Sequence, residues 1–173
     1  MDRADRIAAA WRAERAGTPV ESIGVVTRIW QLAKLFGAHR QRVLARLGID
    51  AATLDLLSTL RRDGPPYTLT TREIAERTLV SAGAISQRIA RAERDELVVR
   101  RPSAAHHRAV EVTLTDRGHE LVERVVDDLL TDELELISGL PAAERGQLAG
   151  LLKELLVHVS EKVDAPDSQV GSS

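Results

Sequence analysis

Cysteine is absent from this 173-residue chain, which excludes structural disulfides, thiolate metal sites and thiol-based redox switches. Any sensing must use another chemistry. Aromatic residues are nearly as scarce: Trp11, Trp30, Phe36 and Tyr67 are the whole set, too few for the stacking platforms that grip single-stranded nucleic acid. No apolar run approaches the ~20 residues of a membrane span. Met1-Asp2-Arg3-Ala4-Asp5-Arg6 lacks the apolar core of a secretion signal, so a cytoplasmic location without membrane contact is expected. A strong net charge is lacking too, the formal value being -2. The acids are unevenly spread, however, crowding at Glu120, Glu123, Asp127, Asp128, Asp132, Glu133 and Glu135 and leaving the stretch before them locally basic. The length suits one compact domain with appendages and a sizeable buried core.

What is present is concentrated between Thr70 and Gly118. Thr70 followed by Glu73 has the spacing of a capping box and opens a helix ending near Arg77. Ser81 caps a second helix that runs to about Asp95, with Val80 and Ile85 spaced as a hydrophobic staple. Leu97 to Arg101 and Val110 to Leu114 have strand composition, the second alternating with a period of two. Between them, Pro102 to Arg108 forms a polar, basic tip. Two short helices followed by a two-stranded ribbon make a winged helix-turn-helix, and its target is double-stranded DNA.

On the second helix Ile85, Ile89 and Ala92 share one stripe, so Gly83, Gln87, Ala90, Arg91 and Arg94 face the other way with Ser86 on the flank. Small and hydrogen-bonding residues near the N-terminus suit a recognition helix, whose early turns meet base edges in the major groove. Ser81, Gly83, Ser86, Gln87, Ala90, Arg91 and Arg94 are therefore candidate DNA contacts. His106, His107 and Arg108 at the ribbon tip are candidates for phosphate or minor-groove contact.

The remaining chain reads as helices. Asp2 to about Ala16 forms a short amphipathic one with Ile7 and Trp11 on its apolar face, ended by Gly17-Thr18-Pro19. A long helix spans Val20 to Leu47, stopped by Gly48, and Asp50 caps a third over Ala51 to Arg62. Thr115 caps a helix carrying Leu121, Val125, Leu129 and Leu136, and another starts at Gly139-Leu140-Pro141 with Leu148, Leu151, Leu152, Leu155 and Leu156. These last two carry more apolar surface than one small lobe can cover, so with the N-terminal helices they are expected to build a homodimer. The organisation is then residues 1–48 for dimerisation and the ligand pocket, 49–114 for DNA, 115–163 for dimerisation, and a disordered tail over 164–173. The fold class is mainly α with a small β-ribbon wing on a helical dimerisation scaffold.

Together these stretches resemble the MarR family of transcriptional regulators. The resemblance is carried by Leu69-Thr70 with Glu73-Ile74-Ala75, by Ser81 to Ile89, by Leu97-Val98 with Arg100-Arg101, and by Arg108 followed by Val112-Thr113-Leu114-Thr115 and Gly118. Two positions depart: His106 stands where the family's wing has Asp, and Glu96 occupies a turn where it has Gly. The second costs about 1 kcal/mol if the backbone there is left-handed. A narrower similarity is to the urate-responsive branch, through Trp11-Arg12-Ala13-Glu14-Arg15, Pro19 and Val26-Thr27-Arg28-Ile29. That likeness implies a ligand site made by Trp11, Asp55, Arg88 and Arg100, a small anionic effector such as urate, a related purine or an organic acid, and a repressor that the effector releases. Arg88 lies about 60° from the centre of its helix's apolar stripe and so points along the protein body. Asp55 lies opposite Leu54, Leu57 and Leu60, where a solvated carboxylate is the ordinary reading.

An enzyme is disfavoured. The five histidines, His39, His106, His107, His119 and His158, show no helical metal spacing, and there is no nucleophile motif or phosphate-cradling glycine loop. No cofactor or metal is therefore assigned. A metal-responsive regulator would use His106, His107 and Glu111, although adjacent residues on a ribbon point apart. A constitutive DNA binder would ignore every small molecule.

Overall fold

A computed structural model describes residues 1–103 and 109–164. Of the expected wing tip, Pro102 to Arg108, residues 104–108 lie outside the described residues, and so do residues 165–173 of the expected disordered tail, 164–173. The element order is α1 (Arg3–Glu14), α2 (Glu21–Arg46), α3 (Ala51–Asp63), β1 (Thr68–Thr70), α4 (Thr71–Thr78), α5 (Ala82–Arg94), β2 (Val98–Pro102), β3 (Val110–Leu114), α6 (Asp116–Leu136) and α7 (Ala142–Asp164). The chain divides into two compact units, Met1–Leu129 and Leu130–Ser173, with the division falling inside α6. Among the described residues no helix is long and apolar enough to cross a membrane.

Capping chemistry starts most helices of the first unit. Asp2 and Asp5 form a reciprocal box at α1, Asp50 accepts the Thr53 N–H at 2.9 Å, and Thr70 and Glu73 form the box expected of them at α4. Ser81 caps α5 through the Ala84 N–H at 3.4 Å, while Val80 and Ile85 both pack into the core. That core is built by Leu54, Leu56, Leu57 and Leu60 of α3, Ile74 of α4, Ile85 and Ile89 of α5, Val98 and Val112 of the sheet, and Val122 and Val125 of α6.

Two features differ from the sequence expectation. The ribbon is a three-stranded antiparallel sheet in the order β1-β3-β2, because Thr68 to Thr70 pair with Glu111 to Thr113 across β3. Three residues are too few to show a period of two, and the strand becomes visible only through its partner. On α1 the buried residues are Ala4 and Ala8, not Ile7 and Trp11; Trp11 is 49% exposed. α1 packs on α2 through this small-residue stripe, and Arg28 of α2 ties the two together. Its guanidinium donates to Asp2 at 2.8 Å, to Asp5 at 2.7 Å and to the Gly24 carbonyl at 2.8 Å.

The exit from α5 is tightly built. Glu96 adopts the left-handed backbone, with φ +59°, that its turn demands. The Thr115 hydroxyl donates to the Glu96 carbonyl at 2.7 Å and also caps α6 by accepting the Gly118 N–H at 3.0 Å. A Cβ at position 118 would stand 2.1 Å from the Leu97 carbonyl oxygen, so only glycine fits against that turn.

In the second unit α7 has no buried residue; Leu148, Leu151, Leu152, Leu156 and Val157 are all exposed. α2 likewise leaves Ile29, Leu32, Leu35 and Phe36 exposed, with Trp30 at 71%, and buries only Val43 and Leu44 at its C-terminal end.

Candidate nucleic-acid interface and effector site

The recognition helix α5 buries Ile85, Ile89 and Ala92 and leaves Ser81, Gly83, Ser86 and Gln87 exposed at its N-terminal end. Ala90 is half-buried behind them. The Ser86 hydroxyl donates to the Ala82 carbonyl at 3.0 Å, which fixes its rotamer along the helix and leaves its lone pairs outward. Among the described residues nothing stands within 4 Å of where a Cβ on Gly83 would lie, so a duplex backbone or base edge can approach closely there.

The two arginines further along behave differently. Arg91 stands 3.1 Å from Asp50, the cap of α3. Burial works against the Asp50 carboxylate, but hydrogen bonds from Thr53 and the Arg91 charge hold its pKa below the ordinary carboxylate value. Arg94 lines a cleft of about 560 Å³ with Glu96, Arg117, Glu120, Leu121 and Arg124. The groove-facing stripe read from the helix wheel is thus occupied by small and amide side chains at its N-terminal end, while at its basic end Arg91 is paired with Asp50 and Arg94 borders the cleft. Partners on other elements decide this, and a single-helix wheel does not see them.

At the base of the wing Arg101 stands opposite Glu111 across β2 and β3, and the Ser103 hydroxyl donates to Glu111 at 2.7 Å. His106, His107 and Arg108, the wing-tip candidates, lie outside the described residues, and with them most of the metal-binding alternative.

Of the four effector candidates the structure joins two. Arg88 of α5 donates through Nη1 to Oδ2 of Asp55 on α3 at 3.1 Å, with side chains 27% and 44% exposed respectively. A half-exposed, single-contact pair of this kind contributes at most about 1 kcal/mol, so a competing anion can break it. Asp55 is not merely solvated, as its helix wheel alone suggested. Arg100 on β2 is instead bound to Glu93 of α5, its Nε donating at 2.7 Å. This hydrogen bond holds the Glu93 carboxyl below its usual pKa and raises that of Arg100. Trp11 on α1 has no hydrogen-bond, ion-pair or ring partner among the described side chains, so neither it nor Arg100 is bonded to the Asp55 and Arg88 pair. Glu93 was not anticipated as part of this region. Its seven-residue separation from Arg100, across the turn at Glu96, is the signal that could have found it.

The winged helix-turn-helix geometry is matched by known proteins. A family model described as MarR family matches residues 47–109, the span from the end of α2 to the wing. The transcriptional regulator PecS of Dickeya dadantii is 28% identical over 149 residues, which cover 86% of this chain and 90% of that one. A mutant MarR from E. coli, solved in complex with operator DNA, is 26% identical with a TM-score of 0.62, over 76% of this chain and 95% of that one. Over residues 47–109 the chain is similar to the MarR family. These relatives are transcriptional regulators and not enzymes. AbsC, a MarR family regulator from Streptomyces coelicolor, matches the fold of this chain with a TM-score of 0.70 at 21% identity, over 85% of this chain and 99% of that one.

Proposed function

We propose that this chain is a regulator of the MarR type, a cytoplasmic homodimeric repressor that binds a palindromic operator and is released by a small, flat organic anion, urate or a chemically related purine or organic acid. The observation that carries the reading is the ion pair between Asp55 on α3 and Arg88 on the recognition helix. It ties the element that enters DNA to a fixed element of the lobe through a contact weak enough for an anion to displace. A ligand carboxylate or ring anion competes with Asp55 for the Arg88 guanidinium and draws α5 with it, so DNA affinity falls by the ligand's preference for the released state. Trp11 would supply an apolar face to the ligand. Arg100 would supply a second cation, provided it exchanges Glu93 for the ligand.

Dimerisation is supported by the exposed apolar residues of α2 and, separately, of α7. A two-fold axis places two recognition helices in successive major grooves, with half-sites roughly 10 bp apart.

Fluorescence anisotropy of labelled operator duplex titrated with urate tests the switch. Arg88→Ala should keep much of its DNA affinity, because Arg88 lies beside the groove-facing stripe, and should lose the ligand response. Equal release of wild type and Arg88→Ala would remove the pair from the mechanism. Absence of release from the wild type across a purine and organic-acid panel would remove the effector class.

A further inference from the structure

Three non-glycine residues of the described chain lie in the left-handed backbone region: Tyr67 with φ +59°, Glu96 with φ +59° and Leu79 with φ +54°. There an L side chain crowds the following carbonyl, and for a bulky residue the conformation persists only when something holds it. Two of the three are visibly held. The Tyr67 hydroxyl accepts from Arg61 at 3.4 Å, the same guanidinium stands 5.0 Å from the ring centroid, and His119 meets the ring edge-on at 4.4 Å. The Glu96 carbonyl accepts the Thr115 hydroxyl, and its carboxylate faces Arg117 at 3.4 Å.

Leu79 has no such support, its side chain being 93% exposed. Only its backbone serves the fold, the N–H capping α4 by donating to the Ala75 carbonyl. Glycine or asparagine performs that cap with less crowding. A large apolar group is therefore kept in a strained conformation, in water, at a position where the fold gains nothing from it. Its location supplies the reason: Leu79 sits in the turn of the helix-turn-helix, two residues before Ser81, the cap of the recognition helix.

We propose that Leu79 is a DNA-contacting residue whose side chain packs on a thymine methyl or deoxyribose carbons at the edge of the major groove entered by α5. The proposal rests on the DNA-binding reading of α5 and extends it to a residue outside the polar and basic set. Apolar contact with the thymine C5 methyl is one of the ways a major groove is read, and it needs no charge. The strain is then carried by the free protein and offset in the complex, where the side chain leaves water.

The full-length chain and its L79G, L79N and L79M variants decide it. The DNA is a fluorescein-labelled duplex enriched by the wild type from a random-sequence pool, together with a copy carrying uracil in place of thymine. L79G and L79N should raise Tm, by about 2–5 °C, since crowding is relieved and no buried contact is lost. The same two variants should bind the duplex roughly tenfold more weakly, the scale of one lost base-pair contact. The dependence of affinity on salt should stay as in wild type, because no phosphate contact is removed. L79M, which keeps an unbranched apolar side chain, should bind within about threefold of wild type. If the uracil duplex erases the difference between wild type and L79G, the contact is the methyl group; if the difference persists, it is the deoxyribose. A fall in Tm for L79G would mean that Leu79 packs on its own chain and would overturn the proposal. So would unchanged DNA affinity, a shallower salt dependence, or a change in self-association without a change in DNA binding. Failure of the wild type to enrich any duplex would overturn the DNA-binding reading itself, a result distinct from each of these.

Discussion

Leu57 of α3 and Leu152 of α7 are the same side chain on the same kind of helix, yet Leu57 is fully buried and Leu152 is exposed. Around Leu57 the neighbours come from one chain: α3, α4, α5, the sheet and the first half of α6 close a core in which the largest side chains are entirely out of water. Around Leu152 the apolar residues continue along α7 through Leu148, Leu151, Leu156 and Val157 without a single buried member. Amphipathic patterning alone does not distinguish these cases, because both helices present leucines at helical spacing. The difference is whether a second apolar surface exists in the same chain. The DNA-binding lobe is complete in one copy, whereas α7 is the kind of surface a second copy would cover.

Substitutions at the two leucines test this contrast. Leu57→Ala should cost about 2–5 kcal/mol in chemical denaturation, because it removes a side chain from a closed core and leaves a cavity. The cost should be the same at every protein concentration. Leu152→Ala should act through association, weakening the dimer roughly tenfold, about 1.4 kcal/mol, in sedimentation equilibrium. Its effect on unfolding should vanish on dilution to monomer. A loss of stability from Leu152→Ala that is equal at all concentrations would mean that α7 is covered within its own chain.

A smaller effect concerns acid. Asp2, Asp5, Asp50, Glu73 and Glu93 in the first unit all have pKa values held below the ordinary carboxylate value. Hydrogen bonds in the α1 capping box and from Arg28 lower the first two. At Asp50, Thr53 and Arg91 overcome the effect of burial; Thr70 lowers Glu73, and Arg100 lowers Glu93. A group whose pKa is depressed by folding contributes stability that is fully present above its unfolded value, near 4, and is lost as pH falls through the lower folded value. The Tm of the first unit should thus stay level from neutral pH to about 5 and drop below about 4. Exchanging Glu93 for Gln should shallow that drop. An acid limb identical in Glu93→Gln and wild type would show that the Glu93 and Arg100 bond does not persist in solution.

Local signals in the sequence were legible where the chain enforces structure by itself. Thr70 with Glu73, Ser81, the strand at Val110 to Leu114 with Val112 and Leu114 buried, and the buried stripe of Ile85, Ile89 and Ala92 are found as their spacing implies, while Val110 at the strand's start is exposed. What was not legible depends on a partner far along the chain. β1 exists because Leu69 finds Val112, and the face of α1 is chosen by how closely Ala4 and Ala8 let it approach α2. Arg91 and Arg100 look like free cations in the sequence and are bound to Asp50 and Glu93 in the structure. Asp55 and Arg88 are candidates through family resemblance alone; the residues' own periodicity does not require that they pair.

The placement of the two tryptophans has an optical consequence. Trp11 lies on α1 and Trp30 on α2, both in contact with solvent, while the lobe from α3 to β3 contains a tyrosine and no tryptophan. Indole emission shifts with the polarity around the ring, so emission excited selectively from tryptophan reports on the N-terminal helices alone. Melting of the DNA-reading lobe is dark to it. Covering of α2 by another surface, or of Trp11 by a ligand, would instead appear as a blue shift, so one cuvette measurement separates events at the two ends of the first unit without any label.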